Sequence, residues 1–385
     1  TIDNILNIIV LLILAAVAIN LTIGNNGIFT RAQNATQKWE EASKNEQSEM
    51  DSIGSYIENF GNSEIKRAIE SGKFFDEGNT KLKDDLSNEV TIPKGFKVAK
   101  DSATKVEDGI VIEDHEGNQF VWIPAKTGAG TVVHTTLGDK TMVYKRTAYS
   151  INVATGETDE TTNSEKINYS SSNEDYFTEK ISNDEETSIN TNSGFYIGRY
   201  EAGDKESTDS KTMREEGTST SNTVTIKKGQ APYNYTTYDE AKSLAEGMDE
   251  AKGYEGTTKL TSSYAWDTAI SFMQIKNEDY GNSSEEGNYN NTTFEYTDIT
   301  GIKQTKAKGS NTLVPTGQTT PECNIYDMGG NCWERTTESN SNSSYSISSR
   351  GGLYNNSYTD RPAGIRVGGN GSAHDGLTFR VTLYL

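Results

Sequence analysis

The sequence predicts an α+β chain, with a long N-terminal helix followed by a loop-rich domain of short strands and a few short helices. Three observations predict it. From Ile5 to Ile23 there is no charged residue, and only Asn7, Asn20 and Thr22 interrupt the apolar run; that is about the length at which a helix crosses a bilayer. Apolar residues then continue at helical spacing to residue 60. From about Val90 the pattern changes to short β-branched and aromatic runs closed by Gly, Pro and Asn.

The apolar run ends at Gly24, Asn25, Asn26 and Gly27, two glycines around two residues that tolerate left-handed backbone, so a flexible or melted joint is expected there. Ile28, Ala32, Ala35, Trp39, Ala42, Met50, Ile53, Ile57 and Phe60 then recur every three or four residues, with charges largely between them, which predicts an amphipathic helix over 28–60. A shorter helix is expected within 62–72 and a polar linker over 73–90, so that 61–89 joins the helical segment to a domain at 90–385. Strands are predicted at 90–92, 109–112, 119–123 and 194–200, and a final one at 378–385. Helices are predicted at 238–248 and 263–275. Residues 150–192, nearly without aliphatic side chains, are expected to be an exposed insertion, 203–222 to be polar and mobile, and 277–311 to be a Gly/Asn/Ser-rich segment.

Composition narrows the function. Lys and Arg number 36 and Asp and Glu 56, a net charge of −20, which excludes the basic surface that phosphate backbones require and so argues against a nucleic-acid partner. The chain is lean in aliphatic residues and has 20 Tyr, which suits an extracellular, loop-rich domain. With no Lys/Arg-rich stretch before the apolar run and no small-residue cleavage site after it, the run is expected to be retained rather than removed as a signal peptide.

The first 60 residues, above all IIVLLILAAVAINLTIGNNGIF, resemble type IV pilins and pseudopilins of the clostridial kind. The resemblance implies that apolar helices bundle into a filament core while globular domains face outward, after an initial stay in the inner or cytoplasmic membrane. It assigns filament assembly to Asp3, Ile5, Leu6, Ile8, Ile9, Val10, Leu11, Leu12, Ile13, Leu14, Val17, Ile19, Leu21 and Ile23. The family's usual acidic fifth residue is Ile5 in this chain. Asp3 is then the one candidate to pair with a neighbour's terminal amine, since an unpaired carboxylate in an apolar bundle is costly.

Residues from about 90 to 385 resemble the formylglycine-generating-enzyme-like (sulfatase-modifying factor) family, a variant of the C-type lectin fold. The motifs occur in the family's order: GNQFVWIPA at 117–125, GFYIGRYEAG at 194–203, APYNYTTYDEAKSLAEGM at 231–248, the helix of Trp266, NIYDMGGNCWERT at 324–336, RGGLY at 350–354 and GLTFRVTLYL at 376–385. The family enzyme needs two copper-binding cysteines just after the RGG segment. The aligned positions here are Asn356 and roughly Arg361, neither of which supplies a thiolate, so the resemblance implies a non-catalytic domain. Some members bind calcium beside the GN-x-W-E segment, which makes Asn331 and Glu334 candidate oxygen ligands. Cys323 and Cys332 flank one short loop; a disulfide closing it is the favoured expectation, two buried free thiols the alternative. The family's ligand-binding members use the region after RGG, which is rich here in adaptable polar and rigid aromatic groups. Tyr354, Asn355, Asn356, Tyr358, Arg361, Arg366 and His374 are the candidates for an unidentified surface ligand.

The expected function is a structural subunit of an extracellular type IV pilus-like filament that displays a lectin-like domain, with adhesion as one use and no enzymatic activity. A monomeric membrane-anchored binding protein is the alternative. A formylglycine-generating-type enzyme is the third reading, disfavoured by the missing cysteines.

Overall fold

A computed structural model describes residues 2–23, 28–59, 63–149, 167–168, 176–282 and 285–385. The chain divides into two units, Thr1–Gly61 and Asn62–Leu385.

In the first unit no single long N-terminal helix is present, which corrects the expected fold class. The segment is divided into α1 (Ile2–Ile23) and α2 (Ile28–Asn59). The expected joint at Gly24, Asn25, Asn26 and Gly27 lies outside the described residues, as do the side chains of Asp3, Ile5, Leu6, Ile19, Leu21 and Ile23. On α1, Ile8, Ile9, Val10, Leu11, Leu12, Ile13, Leu14 and Val17 are all exposed, and on α2 so are Trp39 and Met50. Among the described residues, no helix is long and apolar enough to cross a membrane.

The second unit is mixed but sheet-rich, with helices threaded between strands rather than segregated from them. Its helices are short because capping residues close them early. In α3 (Glu64–Ser71) the Ser63 hydroxyl accepts from the Lys66 N–H and Gly72 turns left-handed, while Ile65 and Ala68 face the core. The others are α4 (Asn183–Asn192), α5 (Lys205–Asp209), α6 (Tyr238–Glu246), α7 (Met248–Lys252) and α8 (Ser263–Met273). Thr237 and Glu240 form a capping box on α6, which ends at Gly247. α8 starts at the Ser262 cap, and every residue of it except Ser271 is buried.

One six-stranded sheet runs in the order 257–260, 381–384, 194–198, 119–124, 111–114, 96–98, antiparallel throughout. Trp122 lies opposite Tyr196, which lies opposite Leu383, and the two aromatic rings meet at 5.0 Å; both side chains are fully enclosed. A second sheet pairs 366–369, 347–350, 333–340, 176–178 and 167–168 in that order, with 377–379 parallel to 333–335. The expected single C-terminal strand is thus two, Leu377–Phe379 and Val381–Tyr384. The chain changes sheets at Arg380, whose guanidinium turns inward to the Gly198 carbonyl at 2.7 Å and the Tyr326 carbonyl at 2.9 Å.

Other expected loops are ordered. The 73–90 linker contains half of a hairpin, Thr80–Lys83 against Glu89–Ile92. Within 150–192, a strand at Tyr176–Thr178 and α4 carry buried Phe177 and Ile189, while 150–166 and 169–175 lie outside the described residues. The polar 203–222 stretch is pinned by a buried ion pair between Arg214 and Asp204. A hairpin, Phe294–Thr297 with Lys303–Lys306, stands inside 277–311.

Candidate functional site

The segment after Arg350 is shaped by two glycines. Gly351 and Gly352 have φ of 91° and 79°, and a Cβ on them would fall 2.7 Å from the Met328 carbonyl oxygen and 2.4 Å from that of Arg361. Only glycine permits both the left-handed backbone and the close approach. The chain is thereby folded back so that Leu353 packs against Gly376 and the Tyr354 N–H donates to the Asn331 carbonyl at 3.0 Å.

The candidate ligand residues then divide into three groups. Asn355, Asn356 and Arg361 line a cleft of about 460 Å³ together with Ser357 and Asp360. His374 lines a second of about 250 Å³, with Glu216, Gly217, Tyr235, Ala373 and Asp375. Tyr354 stands between them: its hydroxyl donates to Asp375 Oδ2 at 3.0 Å, and burial together with that carboxylate raises the phenol to about 12. Tyr358 donates to Glu285 at 2.9 Å and meets Tyr289 edge-on. Arg366 does not belong with the others. It is buried, donating through Nε to both Glu338 oxygens at 2.9 and 3.0 Å and through Nη2 to Asp267, so the structure removes it from the candidate face.

Sequence reasoning missed Asp360, Tyr235 and Asp375 at these clefts. Tyr235 carried a faint signal, since it sits in APYNYTTY at a left-handed φ of 56°. Asp375 adjoins a predicted residue and was passed over as an ordinary surface acid.

The buried arginines form two networks. In the first, Asp267 accepts from Arg350 at 2.5 Å and from Arg366, while Glu338 accepts from Arg366 and Arg146. Burial alone would raise the Glu338 carboxyl, but Arg366, Arg146 and Arg350 outweigh it and hold it at about 2. In the second, Arg380 grips both oxygens of Glu334, at 2.8 and 2.5 Å. There burial prevails over the single arginine and pushes Glu334 up to about 7.

The calcium candidates are committed to this second network. Asn331 donates its amide to Glu201 and to the Val314 carbonyl, and its Oδ1 accepts from Asn288 at 2.8 Å and the Val314 N–H at 3.1 Å. With Glu334 on Arg380, neither residue turns a spare oxygen toward an ion, so the implied calcium does not fit Asn331 and Glu334. Among the described residues no group of three or more His, Cys, Asp or Glu is placed to hold a metal. The neighbouring Glu201 and Asp327 are buried, each with one oxygen lacking a partner. Burial raises both carboxyls, which favours a proton over a second negative charge there.

The expected disulfide is also corrected: Cys323 and Cys332 are free, buried thiols. Cys323, at a φ of 45°, aims its Sγ at the Glu107 carbonyl at 3.4 Å. Cys332 lies in the acidic surroundings of Glu201 and Glu334. Left-handed residues at Asn324, Asp327, Gly330 and Asn331 curl the intervening loop so that the two thiols serve different neighbourhoods.

No known family's sequence model matches the chain, and no curated protein does. Solved structures similar to part of it include PvdO from Pseudomonas aeruginosa, at 13% identity over 71% of this chain and 98% of that one, with a TM-score of 0.39. CarF matches at 14% identity over 50% of this chain and 87% of its own, with a TM-score of 0.33. Variable protein 1 of Treponema denticola matches at 12% identity over 70% and 96%, with a TM-score of 0.36. These are distant, low-identity likenesses to formylglycine-generating-enzyme-like and lectin-like folds.

Proposed function

We propose that this chain is a structural subunit of an extracellular, type IV pilus-like filament, which polymerises through its N-terminal apolar segment and displays the sheet-rich unit as a non-catalytic, lectin-like binding domain. One observation carries the reading. Seven consecutive large apolar residues of α1, Ile8 to Leu14, are each between 47% and 65% exposed. Apolar surface in such a run is stabilised by removal from water, by roughly 25 cal/mol per Å², and identical helices from other copies offer matching surface. The pilin-like residues of the first 60 positions support the same partner. The cleft of Asn355, Asn356 and Arg361 is the face proposed to meet a surface ligand, and the absence of thiolates at positions 356 and 361 supports a binding rather than an oxidative role.

Electron microscopy of the purified full chain tests the assembly. Filaments that disappear in the Leu11→Asp/Leu12→Asp variant are the expected result. Absence of filaments under every extraction condition, with the protein partitioning into membranes, would replace this reading with that of a monomeric anchored protein. A copper-dependent cysteine-oxidation assay is expected to show no turnover.

A further inference from the structure

A cleft of about 770 Å³ opens in the sheet-rich unit, and none of the candidate ligand residues lines it. Its volume lies in the range of ligand pockets. Its walls come from the start of α4 (Ser182, Glu185), from α6 (Lys242, Glu246), from the strand at 257–260 (Lys259) and from the strand at 333–340 (Thr337, Ser339, Asn340). Hydroxyl and amide groups dominate these walls, so an apolar guest would strand polar atoms.

Two features define what would fit. Three lysines, Lys180, Lys242 and Lys259, line this one cleft in a chain of net charge −20. They are weakly engaged: the Glu246 carboxylate is 3.8 Å from Lys242, Lys259 reaches Ser182 Oγ only at 3.4 Å, and Lys180 has no ion pair among the described residues. Against them stands a single open acceptor. Glu185 is 7% exposed, and its Oε1 accepts from Tyr144, from Ser262 at 3.0 Å and from Tyr384 at 2.9 Å. Its Oε2 has no hydrogen-bond partner among the described residues. A simple anion attracted by the lysines would meet that oxygen as a like charge. A neutral sugar would satisfy Oε2 and leave the lysines unused. A guest that carries both a carboxylate and hydroxyl donors satisfies both.

We propose that this cleft binds an acidic sugar, with the sugar carboxylate held by Lys242 and Lys259 and a sugar hydroxyl donating to Glu185 Oε2. The site is separate from the face around Asn356 and goes beyond filament assembly, so either can fail without the other. Calorimetric titration of the full chain with D-glucuronate tests it, with glucose, glycine and inorganic phosphate as comparison probes. The expected result is saturable glucuronate binding, at least about tenfold tighter than glucose, the loss anticipated for removing a charge-assisted contact. The Lys242→Met/Lys259→Met variant should weaken glucuronate by a similar factor with an unchanged thermal midpoint, and Lys259→Arg should retain most of the affinity. No saturation at millimolar glucuronate, equal binding by the double variant, or displacement by phosphate or glycine as effective as by glucuronate itself would each overturn it.

Discussion

The α1 helix and the sheet-rich unit handle solvent in opposite ways. α1 leaves Leu11 and Leu12 about two-thirds exposed, at 65% and 64%, whereas the sheet-rich unit fully buries Arg350 and Arg380. An exposed leucine costs little by itself but is stabilised whenever another apolar surface covers it. A buried arginine is tolerable only because a carboxylate and carbonyls meet it inside the same unit. The first region is incomplete without a partner, and the second completes itself. The same kind of substitution should therefore act on assembly in one and on folding in the other.

The largest effect is expected where that contrast is most extreme. Leu11→Asp/Leu12→Asp would set two carboxylates in the proposed apolar bundle, removing roughly 1.5–3 kcal/mol of burial per leucine and adding the cost of desolvating each charge. Assembly should be abolished, as seen by electron microscopy, while the melting transition of the sheet-rich unit stays where it was. A joint loss of both would mean that the two regions are not independent.

Next in size is Asp267→Ala. It removes the carboxylate shared by Arg350 and Arg366 and the acceptor of the Thr147 N–H at 2.9 Å. Removing one partner from a buried ion pair typically costs about 3–5 kcal/mol. Urea unfolding should show that loss. A change below about 1 kcal/mol would mean that the arginines find other partners.

The two buried networks also differ in their response to pH. Glu179 accepts from the Ser263 N–H at 2.7 Å and from Thr337, and burial, with the charge of Glu338 adding to it, pushes its carboxyl up to about 7. Glu334 stands at about 7 as well. Both folded-state values lie above those of the unfolded chain, so the folded protein holds protons that the unfolded chain has released. Stability attributable to these two acids falls as pH rises from about 4.5 through about 7. Glu338, held at about 2, behaves in the reverse sense: its contribution is present above about 4.5 and is lost as pH falls toward 2. Urea midpoints should thus be higher at pH 5 than at pH 7.5, and Glu179→Gln should flatten that slope. A midpoint that rises steadily with pH across this window would contradict the assignment.

How far the fold was legible depended on whether local chemistry or long-range pairing decides each element. α6 and α8 could be read because Thr237, Glu240 and Ser262 announce helix starts and the apolar positions follow at helical spacing. The strands around Trp122 and Tyr196 could be read because β-branched and aromatic side chains cluster there. The α+β class with one long N-terminal helix was misread, since nothing local states that strands from both ends of the chain share one sheet. α4 was missed because its sequence, NDEETSINTN, lacks an apolar stripe and is anchored chiefly by Ile189. Arg366 was misplaced for a related reason. An arginine among glycines and asparagines looks like a solvated loop residue until Glu338 and Asp267, far away in sequence, are brought to it.

The smallest expected effect concerns the two cysteines. A disulfide closing the loop from Cys323 to Cys332 would contribute roughly 2–3 kcal/mol in the chain-entropy account, and reductant would then lower the melting temperature by several degrees. The structure instead buries two free thiols, and burial raises both above the ordinary thiol range, which suppresses the thiolate that reacts. Melting with and without reductant should agree within about a degree, and an aromatic disulfide reagent should label neither cysteine until denaturant is added. Rapid labelling of the native chain would place at least one thiol nearer solvent. A reductant-sensitive transition would restore the cross-link and require the left-handed loop between Asn324 and Asn331 to bring the two sulfurs together, turning Cys323 away from the Glu107 carbonyl that now receives it at 3.4 Å.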